Sequence, residues 1–509
     1  MPLTMRKIIK ILKIKNITTG KKMNRAVSSQ NTLNSQSNFN VTYNILAYLY
    51  VGCFVILGII IGFSPIVYGL FFIISLIFIL PSHLLGLYMI IFMTMIFERW
   101  FSLSPLITDS AIYKLYPLDI IIIITILSWL LNQLKTSSHK ILFRFPEKIL
   151  TLFIVLNIIY LIKSFFEINT DIGVAFSSFK NYAFYPILYF LIIYSIQTKK
   201  QLKNITHLIL LGGVAIIAFL IIGLMRGEGL WTEYTPLSTV GVRFLAGTHA
   251  FYLVIATLIA LSLLAFDRFK NKGFISMIII IWLTGTVLSL MRHLWLSFFV
   301  GLSTLLIFIP IINRKNLIKS SFKSGLIIFT IIAIFLLSTN LFPLQDLSQS
   351  VDTAYTSITQ RVISIVSGSQ DTSINWRINF WNVAKKSWLK SPITGLGFGK
   401  KLPLDLGDWQ TFEEIRNIHN SPLAITIQMG LIGIGLFGLF VVTNVLGNLK
   451  YIFKNDDLKP YYFGLLSATV AVIFASLFQP YLETNLTGIF FWILLGLLRT
   501  SIIINKVKS

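Results

Sequence analysis

The chain reads as an all-α polytopic membrane protein with about 12–14 transmembrane helices and one large external loop containing amphipathic helices; three observations predict this. First, 55% of the 509 residues are hydrophobic and only 12% charged, with a mean hydropathy of +0.79. A soluble fold of that composition would carry more apolar surface than it could bury. Second, apolar runs long enough to cross roughly 30 Å of hydrocarbon recur about fourteen times. They fall near 45–62, 66–80, 83–97, 117–133, 148–166, 180–197, 206–225, 248–266, 274–291, 293–312, 324–340, 421–447, 460–478 and 483–501. Third, the charge is one-sided. If the N-terminus, every second connection and the C-terminus are cytoplasmic, that face takes the whole formal charge of +24 and the other face is neutral.

These features divide the chain. Residues 1–43 form a basic, polar cytoplasmic tail, 44–340 a transmembrane bundle of about eleven spans, and 341–419 a large external loop. Residues 420–502 hold the C-terminal spans and 503–509 a second cytoplasmic tail. The first tail carries eight Lys/Arg and no acid, followed by a Ser/Asn/Gln-rich stretch from Ser28 to Asn40. It lacks the apolar core and small-residue site of a cleaved signal peptide. Ile8 to Ile14 fit either a short amphipathic helix on the inner leaflet or part of a disordered retention tail. A basic excess can mark a nucleic-acid binder. Here insertion topology and attraction to anionic membrane lipids account for it, so no nucleic acid is expected as partner. The single cysteine, Cys53, allows neither a disulfide framework nor a thiol metal site.

The external loop differs from the other connections in its length. Long loops inside compact proteins are functional or disordered. Trp376, Phe380, Trp381, Trp388, Leu396, Phe398, Trp409 and Phe412 argue against disorder here. Between Arg377 and Lys390 the apolar positions Ile378, Trp381, Ala384 and Trp388 recur at helical spacing. This predicts a helix lying on the outer membrane surface. Ser391-Pro392 and the run from Gly395 to Gly399 stop it. With no strand before it, the glycine run is no dinucleotide fingerprint and reads as a hinge or tight turn.

The outer face also gathers the candidate chemistry. By this topology His83, His139 and His207 lie inside, whereas His249, His293 and His419 lie outside with Arg243, Arg292, Arg377 and Arg416. The insertion rule does not explain outer arginines. Taken singly, each fits snorkelling to head groups or pairing with a carboxylate such as Glu98 or Glu228. Taken together, they fit a shared anionic substrate. His419 alone reads as a helix-capping or interfacial histidine. The outer face has no Asp-x-Asp and no His/Asp cluster at metal-ligand spacing, so no metal and no cofactor are expected.

His419-Asn420, nine residues, Gly430, two residues and Gly433 form a motif that resembles that of the O-antigen ligases and related polysaccharide polymerases. Arg377 and Trp381 leading to Pro392 and the Gly395–Gly399 turn resemble the same family's loop. So do the segment from Arg243 to Gly247 and His249, and the turn from Ser289 to Arg292. Tyr116-Pro117-Leu118-Asp119 is a weaker echo. The resemblance covers about residues 116–440 and implies a GT-C-like glycosyltransferase. It would move a glycan from an undecaprenyl-diphosphate-linked donor to a glycan or lipid-anchor acceptor at the outer face of a bacterial cytoplasmic membrane. Of these residues, His419, Arg292 and Arg243 would be catalytic, and Arg377, Asn420, Arg416 and His249 would bind substrate. Guanidinium groups bind phosphate oxygens in pairs and stay charged, which suits a leaving diphosphate. An imidazole that titrates near neutrality suits proton acceptance from a sugar hydroxyl. Gly430 and Gly433 would let another helix pack closely.

A flippase or transporter of lipid-linked oligosaccharide is the alternative. It would place ionisable residues within the spans along a path. By sequence the mid-span segments are almost free of charge, which favours chemistry at one face.

Overall fold

A computed structural model of the chain describes residues 49–50, 52–54, 56–57, 60–61, 64–96, 102–108, 111–113, 115–136, 143–168, 170–225, 245–319, 372–405, 410–447 and 457–506. The described helices are α1 (Pro65–Ile79), α2 (His83–Ile96), α3 (Pro117–Thr136), α4 (Phe145–Phe166), α5 (Ile172–Phe179), α6 (Ile187–Ser195) and α7 (Lys199–Met225). They continue with α8 (Gly247–Ala265), α9 (Lys272–Leu288), α10 (Arg292–Phe308), α11 (Thr372–Trp388), α12 (Ser421–Val445), α13 (Lys459–Ala475) and α14 (Asn485–Lys506). Two short antiparallel hairpins, β1 (Leu106–Thr108) with β2 (Ala111–Tyr113) and β3 (Lys401–Asp405) with β4 (Gln410–Glu414), are the strands among the described residues.

The protein is a helical, multi-pass membrane protein. Six described helices, α3, α4, α7, α8, α12 and α14, are long and apolar enough to cross a membrane, and α1, α2, α9, α10 and α13 are shorter apolar helices. The apolar runs of the sequence match these helices one for one, with three exceptions. The run at 324–340 and half of 45–62 lie outside the described residues, and 180–197 is a broken helix. Helices α8 and α14 form the centre, 94% of the apolar stretch of each being buried inside the protein, against 33% for α4 at the periphery. Helix α13 packs against both α8 and α10, and the Ser467 hydroxyl donates 2.5 Å to the Gly301 carbonyl.

The break in the sixth apolar run has a local cause. Pro186 has no N–H, and its ring would crowd the carbonyl four residues earlier. The chain widens before it into a π-helical turn over Lys180–Phe184, in which Tyr185 N–H donates 2.9 Å to the Lys180 carbonyl. The turn and α6 aim three tyrosines at three buried carboxylates. Tyr182 donates to Glu483, Tyr185 to Asp119 at 3.0 Å, and Tyr189 to Glu147 at 3.1 Å. Lys180 pairs with Asp119 and sits 4.5 Å over the Tyr116 ring. Arg499 grips Glu147 with Nε at 2.8 Å and Nη2 at 3.3 Å. Charges are present inside the bundle, but near helix ends and in pairs, which lowers the cost of burying them.

The segment from α11 to β4 also departs from expectation. The buried face of α11 is Phe380 and Ala384, with Trp376, Trp381, Val383 and Trp388 partly covered, whereas Ile378 is 46% exposed. This face packs on β3 and α12. Leu402, Leu404, Ile415, Ile418, Ala424 and Ile427 complete a small core of its own. The buried face of this helix is thus covered by protein and contributes to that core.

Helix α12 breaks at Gly430, which has φ 64° and ψ −164°. Two intrahelical bonds that would link residue 431 to 427 and 432 to 428 are absent, and the loop after α11 replaces both halves of each. Leu396 and Gly397 N–H donate to the Ile427 and Gln428 carbonyls at 2.8 and 3.0 Å. Leu431 and Ile432 N–H donate to the Pro392 and Ile393 carbonyls at 3.0 and 3.3 Å. At 1.5 Å per residue the seam lies about 13 Å along α12, where a non-helical backbone is tolerated only if protein satisfies it. The same loop is held to α4 and α5 by Tyr160 donating to the Thr394 carbonyl, Asp171 N–H to the Gly399 carbonyl at 3.0 Å, and the Lys401–Asp171 ion pair at 2.8 Å. The glycine run is therefore a stitched insert rather than a free hinge. Gly430 and Gly433 do not serve a second helix either. A Cβ on Gly430 would strike the Ile393 backbone, and one on Gly433 would meet Met429 of its own helix.

Candidate active site

His419 ends the segment leading into α12. A single 3-10 turn at Ile415–Asn417 closes β4, and His419 then takes a left-handed backbone, φ 56°, before Asn420 caps the helix. The Asn420 side-chain oxygen accepts from Leu423 N–H at 3.0 Å and so caps the start of the helix. Left-handed non-glycine residues are uncommon and strained, and one two residues upstream of Ser421 fixes where the ring points. Leu290, φ 56°, likewise lies two residues before Arg292, the first residue of α10.

Two elements hold the imidazole. The Trp376 ring of α11 stands edge-on to it, centroids 5.4 Å apart at 87°. Trp381 Nε1 of the same helix donates 2.8 Å to the Ile418 carbonyl. His419 Nδ1 lies 2.7 Å from Gln479 Oε1, in the connection between α13 and α14. Burial pushes the imidazole below its ordinary pKa, and the charge of neighbouring Arg377 lowers it further. The Gln479 hydrogen bond opposes both. The ring is therefore neutral at neutral pH, the form that can accept a proton.

The same connection reaches the other candidate residues at alternate positions. The Tyr481 hydroxyl lies 2.7 Å from His293 Nε2, and its ring packs 4.7 Å from that of Phe251 on α8. Gly247, at the start of α8, abuts Met291. The buried His249 thus begins a helix whose first turn touches the residue before Arg292. Glu483 is 3% exposed; it accepts from Ser421 Oγ at 2.5 Å and from the Tyr182 hydroxyl. Burial pushes its carboxyl above the usual carboxylate range, against those two hydrogen bonds and the charge of Arg416. Arg416 donates Nη2 to the Glu483 carbonyl at 2.7 Å, with Nη1 3.9 Å from Glu414, while its Nε is buried without a hydrogen-bond partner.

One end of the bundle thus gathers His419, Asn420, Arg416, Arg377, Arg292 and His249 through the starts of α8, α10 and α12, α11 and the 479–483 connection. Arg243, Glu98, Glu228, His139 and Trp409 lie outside the described residues. Among the described residues no three His, Cys, Asp or Glu side chains are placed to share a metal ion. Sequence reasoning missed Gln479, Tyr481 and Glu483. Their signal was a glutamine and a carboxylate four residues apart, Gln479 in the gap between the runs 460–478 and 483–501 and Glu483 at the first position of the last run.

No curated protein matches the chain. Residues 277–438 match the family model described as O-antigen ligase, a stretch that holds Arg292, Arg377, Arg416, His419 and the stitched loop. It excludes Arg243, His249 and the 479–483 connection. The match and the multi-pass helical fold together support an O-antigen ligase/polymerase-like family for this protein.

Proposed function

We propose that the protein is a membrane-embedded glycosyltransferase that moves a glycan from undecaprenyl diphosphate to an acceptor hydroxyl at the outer face of the cytoplasmic membrane. The observation that carries this reading is a half-buried His419, its pKa lowered by burial and by neighbouring Arg377, one short turn from Arg416, whose Nε has no protein partner. A buried guanidinium donor without a partner calls for an acceptor from elsewhere, and a phosphate oxygen suits it. In the reaction, His419 takes the proton of the attacking hydroxyl as its oxygen bonds to the anomeric carbon. The bond from that carbon to the diphosphate breaks, and the diphosphate leaves with the electron pair. Arg292, Arg377 and Arg416, with Arg243, would stabilise that growing charge, each well-placed donor contributing about 3 kcal/mol. His249 would line the substrate cleft, and Asn420 would hold the start of α12 in register.

The test is transfer from a synthetic undecaprenyl-diphosphate oligosaccharide in proteoliposomes, comparing the intact protein with His419→Ala and Arg292→Ala. Longer lipid-linked chains that vanish in both variants identify a polymerase, and glycan on a supplied lipid A-core acceptor identifies a ligase. Glycan that instead crosses between leaflets in all three proteins, with no transfer, overturns the enzyme reading in favour of a transporter.

A further inference from the structure

Gln479 lies outside the segment that matches the family model, yet it makes the hydrogen bond that fixes the His419 ring. A carboxamide oxygen can only accept, so the Nδ1 that lies 2.7 Å from Gln479 Oε1 must carry the proton. A neutral imidazole has one N–H, which leaves the lone pair on Nε2. The Gln479 backbone is itself held. Its carbonyl accepts from Tyr481 N–H at 2.9 Å and from Ser421 Oγ at 3.3 Å, and Pro480 fixes the next φ. The Ser421 contact ties the connection to the residue that opens α12, two positions after His419.

We infer, resting on the transfer reaction proposed above, that Gln479 is a positioning residue. It holds His419 as the Nδ1–H tautomer so that Nε2 accepts the proton of the attacking hydroxyl. The glutamine plays the part that an orienting partner plays for any working histidine, and it does so without adding charge. The charged groups around the ring on each packed element are few. On α11 it is Arg377, which acts on the ring directly. On the 415–417 turn it is Arg416, directed to the Glu483 carbonyl. On the 479–483 connection it is Glu483, engaged by Ser421 and Tyr182. A neutral partner leaves the ring unprotonated in this setting. A carboxylate there would hold the imidazolium instead.

The experiment is hydrogen–deuterium exchange at the histidine C2 position, read by mass spectrometry against pH in the full-length protein, for wild type, Q479A and Q479E. The expected His419 midpoint lies below 6.5 in wild type, falls further in Q479A and rises above wild type in Q479E. In the proteoliposome assay Q479A then loses about 10–100-fold in kcat with little change in KM, as for other orienting partners of working histidines. Q479E regains rate only as pH rises. Equal His419 midpoints in the three proteins, or wild-type transfer by Q479A when H419A is inactive, overturn the inference. Wild-type transfer by H419A sinks the proposed function instead, while the midpoints still report on the Gln479 contact.

Discussion

Gly430→Ala should be among the most damaging single-methyl changes in the protein, and the reason can be worked from the seam. At φ 64°, ψ −164° the residue sits in a region open almost only to glycine, so any side chain there costs of order 1–3 kcal/mol in backbone strain. The added Cβ would also overlap the Ile393 carbonyl and lie 2.6 Å from Gly395 N. Both neighbours are backbone and cannot turn aside. Relief requires the 391–397 loop to back away from α12, which breaks some of the four bonds between them. Losing two, at about 1 kcal/mol each, brings the total to about 3–5 kcal/mol. An unfolding entropy of about 2.1 cal/mol/K per residue makes 1 kcal/mol worth about 1 °C in a chain of this length, so the midpoint should fall by about 3–5 °C. The assay is a tryptophan-fluorescence melt of the detergent-solubilised protein. Gly435→Ala and Gly438→Ala serve as controls on the same helix. A Cβ on either meets nothing within 4 Å, so the midpoint should hold or rise slightly. If Gly430→Ala melts with these controls, the seam is not what holds the loop to the helix.

Transfer activity should fall as pH drops through the folded pKa of His419, which burial and Arg377 place below 6.5, because only the neutral ring accepts a proton. Arg377→Gln should move that midpoint upward in the histidine exchange experiment, and an unmoved midpoint would contradict the pairing. Glu483 has a carboxyl pKa raised by burial, so its stabilising contribution is complete below the unfolded value and declines as pH rises through the folded one. The melting midpoint of wild type relative to Glu483→Gln should therefore fall between pH 5 and pH 8. Glu483→Ala should melt earlier at every pH, by roughly 2–4 kcal/mol, since it leaves Tyr182 and Ser421 without a buried acceptor. Arg499→Ala strands the Glu147 carboxylate at a cost of about 3–5 kcal/mol, read as lost folded yield. Arg499→Lys should recover little of it, because one ammonium cannot span both oxygens as the guanidinium does.

What the sequence made legible was what depends on periodicity and hydropathy. The helices that begin at 117, 145, 247, 421 and 485 follow the apolar runs, and Pro or a capping Asn marks several of their starts. His419, Arg377, Arg416 and Arg292 were legible by type and by their common side. Hidden from it were features set by contacts between distant segments. Gly430 looked like a packing glycine because a sequence cannot show that the residue facing it is Ile393, from another element. The buried face of α11 was misassigned by including Ile378, because a helical apolar stripe does not say which of two adjacent registers meets the core. Gln479 and Glu483 carry no pattern of their own, and their roles exist only because the 479–483 connection folds onto the start of α12.

The buried ionisable groups bear on the choice between chemistry and passage in a way that composition could not. A path for a polar substrate needs polar groups that can exchange partners as cargo moves. The three carboxylates facing the turn and helix from 180 to 195 are instead saturated. Asp119 is held by Lys180, Tyr185 and the Tyr116 N–H, Glu147 by Arg499, Tyr189 and the Arg144 N–H, and Glu483 by Ser421 and Tyr182. Each is 3% exposed or less. Removing one partner from such a set leaves a buried charge, which makes the sets struts that fix helix register rather than steps of a path. The strut at Glu483 differs from the other two in its surroundings. It also anchors the connection that reaches His419 through Gln479 and His293 through Tyr481. The rigidity of the bundle is thereby delivered to the two imidazoles at one end, where the transfer reaction proposed above would have to be held still.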